Sequence, residues 1–408
     1  MKTVSDVIVI GGGPCGSFTA LNLAKKGVDV TVFEEHPQVG VPNHCPGHIS
    51  INGLRRLGLR PFPKRMVQNV FRGANFYSPS GSKFSVRFKR PVTCVVDRVL
   101  LERHVADMAE KAGAEYSLDS RVESLAIEDG YVRGVVAKQH GEAERRFPAE
   151  IVIDAEGISA RILRQTGLQT LNRSTLVNAV EAEVEGVKDT DSEVVEVFLG
   201  NLYAPGFYSW LIPKRDDTAK VGLATSTGNP RDFLQRFMFK HPAASKKLRT
   251  AKMSRIAFHP ITLGGSIPMP CSSGFLAVGD VASQVKPTTG GGVVLGSMCA
   301  QVAAETAYDA LQRNDFSSEF LSVYRRRCWE LLGFDMRVML RIRRMLNSLS
   351  DREIDETFGF FEKIGLDKSL QGVSELDFQG RTLLSILKSP RALASLAYFF
   401  RLYLFANP

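Results

Sequence analysis

The glycines of Gly11-Gly12-Gly13-Pro14-Cys15-Gly16 stand in the spacing G-x-G-x-x-G, which suits a backbone that must grip the pyrophosphate of a dinucleotide. Gly11 permits the tight turn, Gly13 lets the backbone approach the phosphates, and Gly16 lets a helix pack closely on a strand. Glu34, eighteen residues after Gly16, offers a carboxylate to ribose hydroxyls. A second glycine run, Gly290-Gly291-Gly292, precedes a helical pattern and presents backbone N–H groups at a positive dipole end. Cys45 stands between His44 and His48 on a loop rich in Pro and Gly. A nearby imidazolium would lower the pKa of such a thiol and make it reactive, and a purely structural or packing role is the alternative. Tyr208 and Trp210 are two residues apart in an extended pattern, which puts both aromatic rings on one face.

These groups need elements to hold them. Asp6 to Ile10 (DVIVI) is short, apolar and β-branched, the mark of a buried parallel strand. The spacing predicts a helix over 17–26 and a second strand over 28–33, ending at Glu34. Residues 35–50 read as a long loop, which usually means function. A short helix is expected over 51–59, a hairpin over 70–88 around Ser80-Gly81, and a helix from Asp97-Arg98 to Gly113. Strands over 116–125 and 131–138 flank Asp129-Gly130, and another over 147–153 ends at Asp154-Ala155-Glu156-Gly157. Residues 176–223 are strand-rich, 230–247 helical, and 275–279 a buried strand running into Asp280. A long helix follows Gly292 to about Leu311, and the remainder from Glu319 is mostly helical.

Hydrophobic content of 44% and charged content of 23% are ordinary for a globular chain. The formal charge of +9 points to an anionic partner, such as lipid headgroups, a phosphorylated substrate or an acidic electron donor. No nucleic-acid motif is present, and nucleic acid is not an expected partner. The six cysteines form no C-x-x-C, which argues against a zinc site or an intrinsic iron–sulfur cluster; no metal is expected. The sequence runs straight into a strand, so no signal peptide and a reducing cytoplasm are expected. No uncharged apolar run reaches the roughly 18 residues that span a bilayer. Arg325 to Arg344 holds seven arginines interleaved with apolar residues. That is either a basic amphipathic helix for a membrane surface or an ordinary solvated face. Residues 392–406 are apolar and aromatic with one charge, Arg401, and suit dipping into the interface or capping a core.

The glycine turn, Asp97-Arg98 before a helix, Asp154-Ala155-Glu156-Gly157 and Gly279-Asp280 followed by Gly290-Gly291-Gly292 come in an order that resembles the FAD-binding fold of the p-hydroxybenzoate hydroxylase superfamily. Its second motif is usually Asp-Gly, and here Ala155-Glu156 separates Asp154 from Gly157. Within it, Pro205-Gly206-Phe207-Tyr208-Ser209-Trp210-Leu211-Ile212-Pro213 looks like the P-x-x-Y-x-W-x-[FI]-P signature of the geranylgeranyl reductase family. The loop Asn43 to Ser50 is similar to the cysteine-containing loop of its archaeal members, which act on membrane lipid precursors. Pro46, Gly47 and His48 stand where those members are usually Gly- or Ala-rich and acidic.

The resemblance implies a mixed α/β (α+β) fold. A Rossmann-like FAD-binding domain (1–70, 90–165 and 270–320) would carry an inserted antiparallel-sheet substrate domain (71–89 and 166–269) and a helical C-terminal region (321–408). It implies FAD held by Gly11, Gly13, Cys15, Gly16 and Glu34, with Arg98 on the phosphates, Val122 at the adenine and Asp280 on the ribitol. Asp154 and Gly279 belong to its motifs, Pro287 lines the ring face, and Gly291, Gly292 and Val293 meet the pyrimidine edge. Cys45, Pro46 and His48 are expected beside the flavin ring, with Cys45 the candidate catalytic thiol. Tyr208 and Trp210 would line a channel for an isoprenoid chain. The implied activity is FAD-dependent saturation of carbon–carbon double bonds in geranylgeranyl chains of membrane lipid precursors. Electrons would come from an external donor, ferredoxin-like or a reduced nicotinamide or deazaflavin. The protein would be cytoplasmic, peripheral on the inner face of the cell membrane. Two alternatives remain at this point: an aromatic monooxygenase or halogenase on the same fold, and a membrane-associated flavoprotein electron relay.

Overall fold

The computed structural model describes residues 5–406 except 62, 216, 371, 372 and 374; the side chains of 64 and 399–406 lie outside the description. Along the chain the strands are β1 (Ser5–Ile10), β2 (Val30–Phe33), β3 (His48–Ser50), β4 (Val67–Phe71), β5 (Gly73–Tyr77), β6 (Lys83–Arg87), β7 (Thr93–Val96), β8 (Glu115–Ser117), β9 (Ser120–Glu128), β10 (Tyr131–Gln139), β11 (Arg145–Asp154), β12 (Leu176–Glu185), β13 (Val194–Phe198), β14 (Ser209–Pro213), β15 (Thr218–Thr225), β16 (Lys252–Thr262), β17 (Cys271–Ser272) and β18 (Phe275–Ala277). The helices are α1 (Pro14–Ala24), α2 (Ile51–Arg56), α3 (Arg98–Lys111), α4 (Pro230–Lys240), α5 (Ala244–Leu248), α6 (Val293–Arg313), α7 (Ser318–Ser348), α8 (Asp351–Ile364), α9 (Asp367–Leu370), α10 (Gln379–Ile386) and α11 (Pro390–Ala406).

The chain divides into two compact units. The first comprises Met1–Asn43, Arg98–Ser174 and Thr262–Met336; the second comprises His44–Asp97, Thr175–Ile261 and Arg337–Pro408. Residues 44–70 and 90–97, grouped with the cofactor domain in the sequence reading, cluster with the second unit. The C-terminal helices divide within α7.

The first unit is built on a parallel sheet in the order β18-β11-β1-β2-β8. Val7 to Ile10 are all buried, as a strand covered on both faces requires. The β1–α1–β2 crossover packs α1 against α6 and α3. Ala300, Ala303, Ala304 and Ala307 on α6 are fully buried, and their small side chains permit the close approach. Helix α1 starts at Pro14, three residues earlier than expected, because proline at the first helical position gives up no hydrogen bond. Strands β9 and β10 turn through Asp129 (φ 48°) and Gly130 (φ 79°), both left-handed, as a two-residue hairpin of this type demands.

The second unit holds a seven-stranded sheet, β16-β12-β15-β14-β13-β5-β6, and a small sheet, β3-β7-β4. Val180, Ala182, Val184, Phe198, Leu211, Val221 and Leu223 fill one face of the large sheet beneath Leu234, Phe237, Met238, Ala244 and Leu248 of α4 and α5. Side chains alternate along a strand, so Glu181, Glu183, Trp210, Ile212 and Lys220 occupy the other face. At the β5–β6 end of the sheet Phe76 and Phe84 pack against Leu349, Ile354 and Phe358 around α8.

Three expectations change. The helix expected over 230–247 is two helices, because His241 turns to an extended ψ of 129° before Pro242. The loop over 35–50 ends in strand β3. The strand expected to carry both Tyr208 and Trp210 begins only at Ser209: Gly206 (φ 80°) and the Phe207 N–H to Ala204 carbonyl bond turn the chain just before it, and Tyr208 lies immediately ahead of the strand with its carbonyl accepting from the Ala224 N–H (3.3 Å). Strand β16 gave no sequence signal.

Candidate active site

In the first unit the glycine turn has the close contacts its spacing implies. A Cβ on Gly16 would overlap the Gly11 carbonyl oxygen, and one on Gly11 (φ 93°) would meet the Ala155 carbonyl oxygen at 2.6 Å. A Cβ on Gly13 would meet nothing within 4 Å, so open space faces the start of α1. The N-cap residues of α1 and α6, Gly13 and Gly292, have no side chain to satisfy the first N–H groups. Two helix starts are thereby left for anionic or electron-rich groups of a ligand.

Glu34 is buried at the end of β2. Its Oε2 accepts from the Gly12 N–H (2.7 Å), and its Oε1 accepts from the His36 backbone N–H (3.0 Å) and Nδ1 (2.6 Å). One lone pair of Oε2 remains for a ribose hydroxyl. Asp280 lies just past β18 in a helical turn, Gly279–Ala282, and a Cβ on Gly292 would meet its Oδ1 at 2.8 Å. Burial raises the Asp280 carboxyl pKa, and the Arg98 guanidinium opposes that rise. Arg98 opens α3, is buried and pairs with Glu102. Cys15 fits where Gly279 and Gly296 leave room, a Cβ on either coming within 2.8 Å or 2.6 Å of its Sγ. Burial and then the Asp280 carboxylate push the Cys15 thiol far up, so it is a neutral packing group.

Asp154, fully buried at the end of β11, accepts the Glu156 N–H at Oδ1 (3.0 Å), while its Oδ2 has no hydrogen-bond partner. Burial first, and Glu156 next, raise its pKa well above the carboxylate range. It shapes the turn from behind. The inserted Glu156 accepts from the N–H groups of Ile162 (2.6 Å) and Leu163 (3.2 Å), which gives the departure from Asp-Gly a structural reason. Val122 is a buried β9 residue whose carbonyl accepts from Arg161. Pro287 is buried in the loop 286–292, where Gly290 N–H bonds the Lys286 carbonyl (2.8 Å) and Val293 then begins α6. One network escaped the sequence: Gln284 accepts from the Gly279 N–H (2.8 Å) and donates to the Tyr324 hydroxyl (2.7 Å), which donates to the Ala277 carbonyl (2.9 Å). It fixes the strand end from which Asp280 projects.

Cys45, Pro46, His48, Tyr208 and Trp210 belong to the second unit. The Cys45 sulfur accepts from the Gly47 N–H at 3.5 Å. His44 stacks on His259 at 5.4 Å, a partner for His259 that the sequence did not reveal. His48 bonds Thr93 Oγ1 through Nε2 (2.8 Å) and sets its ring edge-on to Phe71. Tyr208 and Trp210 still meet, edge to face with centroids 6.0 Å apart, and Phe207 stacks on Tyr208 at 4.2 Å. Arg343 of α7 lies over the Phe207 ring at 4.6 Å. Burial pushes the Tyr208 hydroxyl up to about 12 and the Arg343 guanidinium down to about 10.

The glycine cradle, its two uncapped helix starts and the carboxylates of Glu34 and Asp280 fit a ligand with a pyrophosphate, a ribose and a polyol, which is the make-up of FAD. A family model described as FAD binding domain matches residues 4–301. Digeranylgeranylglycerophospholipid reductase of Methanosarcina acetivorans is 32% identical over 366 residues, 87% of this chain and 88% of that protein. Digeranylgeranylglycerophospholipid reductase 2 of Methanothermobacter thermautotrophicus is 32% identical over 393 residues, 94% of this chain and 96% of that protein. Among solved structures, a geranylgeranyl bacteriochlorophyll reductase-like protein from Thermoplasma acidophilum superposes with a TM-score of 0.85 at 25% identity, covering 97% of this chain and 99% of its own. The flavin-dependent brominase Bmp2, at 20% identity and a TM-score of 0.71, shares the fold. The chain belongs to the FAD-binding flavoproteins of the geranylgeranyl reductase family.

Proposed function

We propose that this protein is an FAD-dependent reductase that saturates carbon–carbon double bonds in the geranylgeranyl chains of membrane lipid precursors. The likeness of nearly the whole chain to proteins named digeranylgeranylglycerophospholipid reductase carries the reading. The cofactor, once reduced by an external donor, supplies hydride. The chain's own residues bind, orient and shield. Backbone N–H groups from Gly11 to Gly16 hold the pyrophosphate, Glu34 the ribose and Asp280 the ribitol. The uncapped start of α6 suits the ring edge that gains negative charge on reduction. In the second unit Tyr208 and Trp210 offer quadrupolar faces to an apolar chain. An isolated alkene acquires positive character as it is reduced, and aromatic faces stabilise such charge best in a dry site. Cys45, Pro46 and His48 are assigned to the neighbourhood of the ring, with Cys45 as the candidate reactive thiol.

The charge of +9 favours an acidic, ferredoxin-like electron carrier. No helix among the described residues is long and apolar enough to cross a membrane. Peripheral attachment to the inner face of the cell membrane is favoured by Leu384, Leu393 and Leu396, about half exposed on α10 and α11, beside exposed Arg381, Lys388 and Arg391. Incubating dithionite-reduced, FAD-loaded protein anaerobically with a geranylgeranylated phospholipid tests the activity. Product masses should rise by whole hydrogen pairs; an unchanged lipid mass overturns the reading.

A further inference from the structure

On the sheet face that carries Trp210, three adjacent strands bring a carboxyl group to the indole. Gly222 of β15 pairs with Glu181 of β12 on one side and with Trp210 of β14 on the other. The space a Gly222 side chain would fill is taken by the indole: a Cβ there would meet Trp210 Cζ2 at 2.5 Å and Cε2 at 2.7 Å. Cε2 carries the indole nitrogen, so that edge of the ring lies beside Gly222. Trp210 Nε1 and Glu181 Oε2 are both buried without a geometric hydrogen-bond partner. The register across Gly222 makes the carboxyl and the indole neighbours on this face.

We propose that Glu181 is the acid that protonates the alkene lying against Trp210. The assignment rests on the reductase reading above. One alkene carbon takes the hydride supplied through the cofactor. The other takes the Glu181 proton, the π pair forming that C–H bond. The remaining carboxylate is reprotonated from solvent. Its neighbours suit this cycle. Burial pushes the Glu181 carboxyl up to about 7, opposed by Lys220, by the indole and by Arg255, and assisted by Glu183. The acid is therefore part-protonated near neutrality, where general acids work best. Lys220, itself buried on the same face, stabilises the carboxylate after the proton leaves. Lys214 pairs with Glu183 at 3.5 Å and keeps that second carboxylate occupied.

The test is single-turnover reduction of a geranylgeranylated phospholipid by dithionite-reduced holoenzyme, read by product mass across pH. The wild-type rate should fall as pH rises through about 7. E181Q should lose roughly 100-fold or more in rate and the pH dependence with it, while FAD content is retained, and E181D should restore part of both. A second readout needs no turnover. With Trp329, exposed on α7, replaced in W329F, Trp210 is the remaining tryptophan. Its fluorescence should titrate with a midpoint near 7 that E181Q removes. Wild-type reduction with an unchanged rate and pH profile in E181Q overturns the Glu181 assignment. So does a flat Trp210 titration, which decides the matter even where E181Q fails to fold. Absence of lipid reduction by the wild type overturns the reductase reading instead.

Discussion

At the scale of single residues, burial decides which acids of this chain hold protons. Asp154 is fully buried and Glu181 partly so, and burial is the first cause of the raised pKa of each. The stability consequence has a fixed sign. A carboxyl whose pKa is raised in the fold contributes its full stability below its unfolded value and loses it as pH rises through the folded value. For Asp154 the neutral form is the one the fold selects. Asp154→Asn keeps an acceptor for the Glu156 N–H and carries no charge. We expect it to hold FAD as the wild type does and to lack the wild type's Asp154-dependent loss of stability as pH rises above the unfolded carboxyl value. Asp154→Ala leaves that N–H unpaired and should cost about 1–3 kcal/mol. Thermal denaturation and flavin absorbance across pH check both. Glu181 also shows why a site can be hidden in a sequence. It is 29 residues from Trp210 and 41 from Gly222, and only strand register makes the three neighbours. The cradle residues, by contrast, are legible because Gly11 to Gly16 and Glu34 act within one local crossover.

At the scale of elements, the same distinction holds. β1, α1 and β2 announce themselves through an apolar run, a glycine turn and a second apolar run. Strand β16 does not, because most of it is exposed on both faces and so shows no alternation. The break between α4 and α5 was signalled by Pro242 but needed the structure to show what occupies it. His241 is fully buried there, its Nε2–H donating to the Ser78 carbonyl (3.2 Å) and its Nδ1 accepting from the N–H groups of Ala243 (3.1 Å) and Ala244 (3.2 Å). Phe198, Tyr203 and Phe237 surround the ring at 4.8 to 5.8 Å. Burial pushes the imidazole down to about 4, so the folded chain keeps it neutral. An unfolded histidine takes its proton at about 6.5. The His241 contribution is therefore complete above that value and is lost as pH falls from about 6.5 towards 4. His241→Ala should orphan two N–H groups at the start of α5, costing about 1–3 kcal/mol for the unmade bonds. It should also flatten this acid limb of the stability curve, which chemical denaturation across the same pH range measures.

At the scale of the whole molecule, the proposed function asks how the protein reaches a lipid with long apolar chains. The proposed peripheral attachment would bring the protein to that lipid at the membrane surface. Three of the exposed apolar side chains lie on α10 and α11: Leu384 at 55%, Leu393 at 51% and Leu396 at 46%. Between them Ala392 and Ser395 face inward, which gives α11 one buried and one outward apolar stripe. Arg381, Lys388 and Arg391 add positive charge beside the leucines, as an interfacial helix on anionic lipid requires. A bare electrostatic contact would be screened over about 8 Å at physiological salt, so apolar insertion has to carry part of the binding. We expect the protein to sediment with anionic vesicles and to be released only in part by high salt. The triple variant Leu384→Glu, Leu393→Glu, Leu396→Glu should bind such vesicles at least ~10-fold more weakly, each leucine contributing a fraction of its full burial energy. Its turnover of detergent-dispersed lipid should match the wild type, since the substitutions leave Tyr208, Trp210 and the cradle untouched. Equal vesicle binding by variant and wild type would remove α10 and α11 from the membrane contact and leave the arginine-rich α7, with Trp329 57% exposed, to account for it.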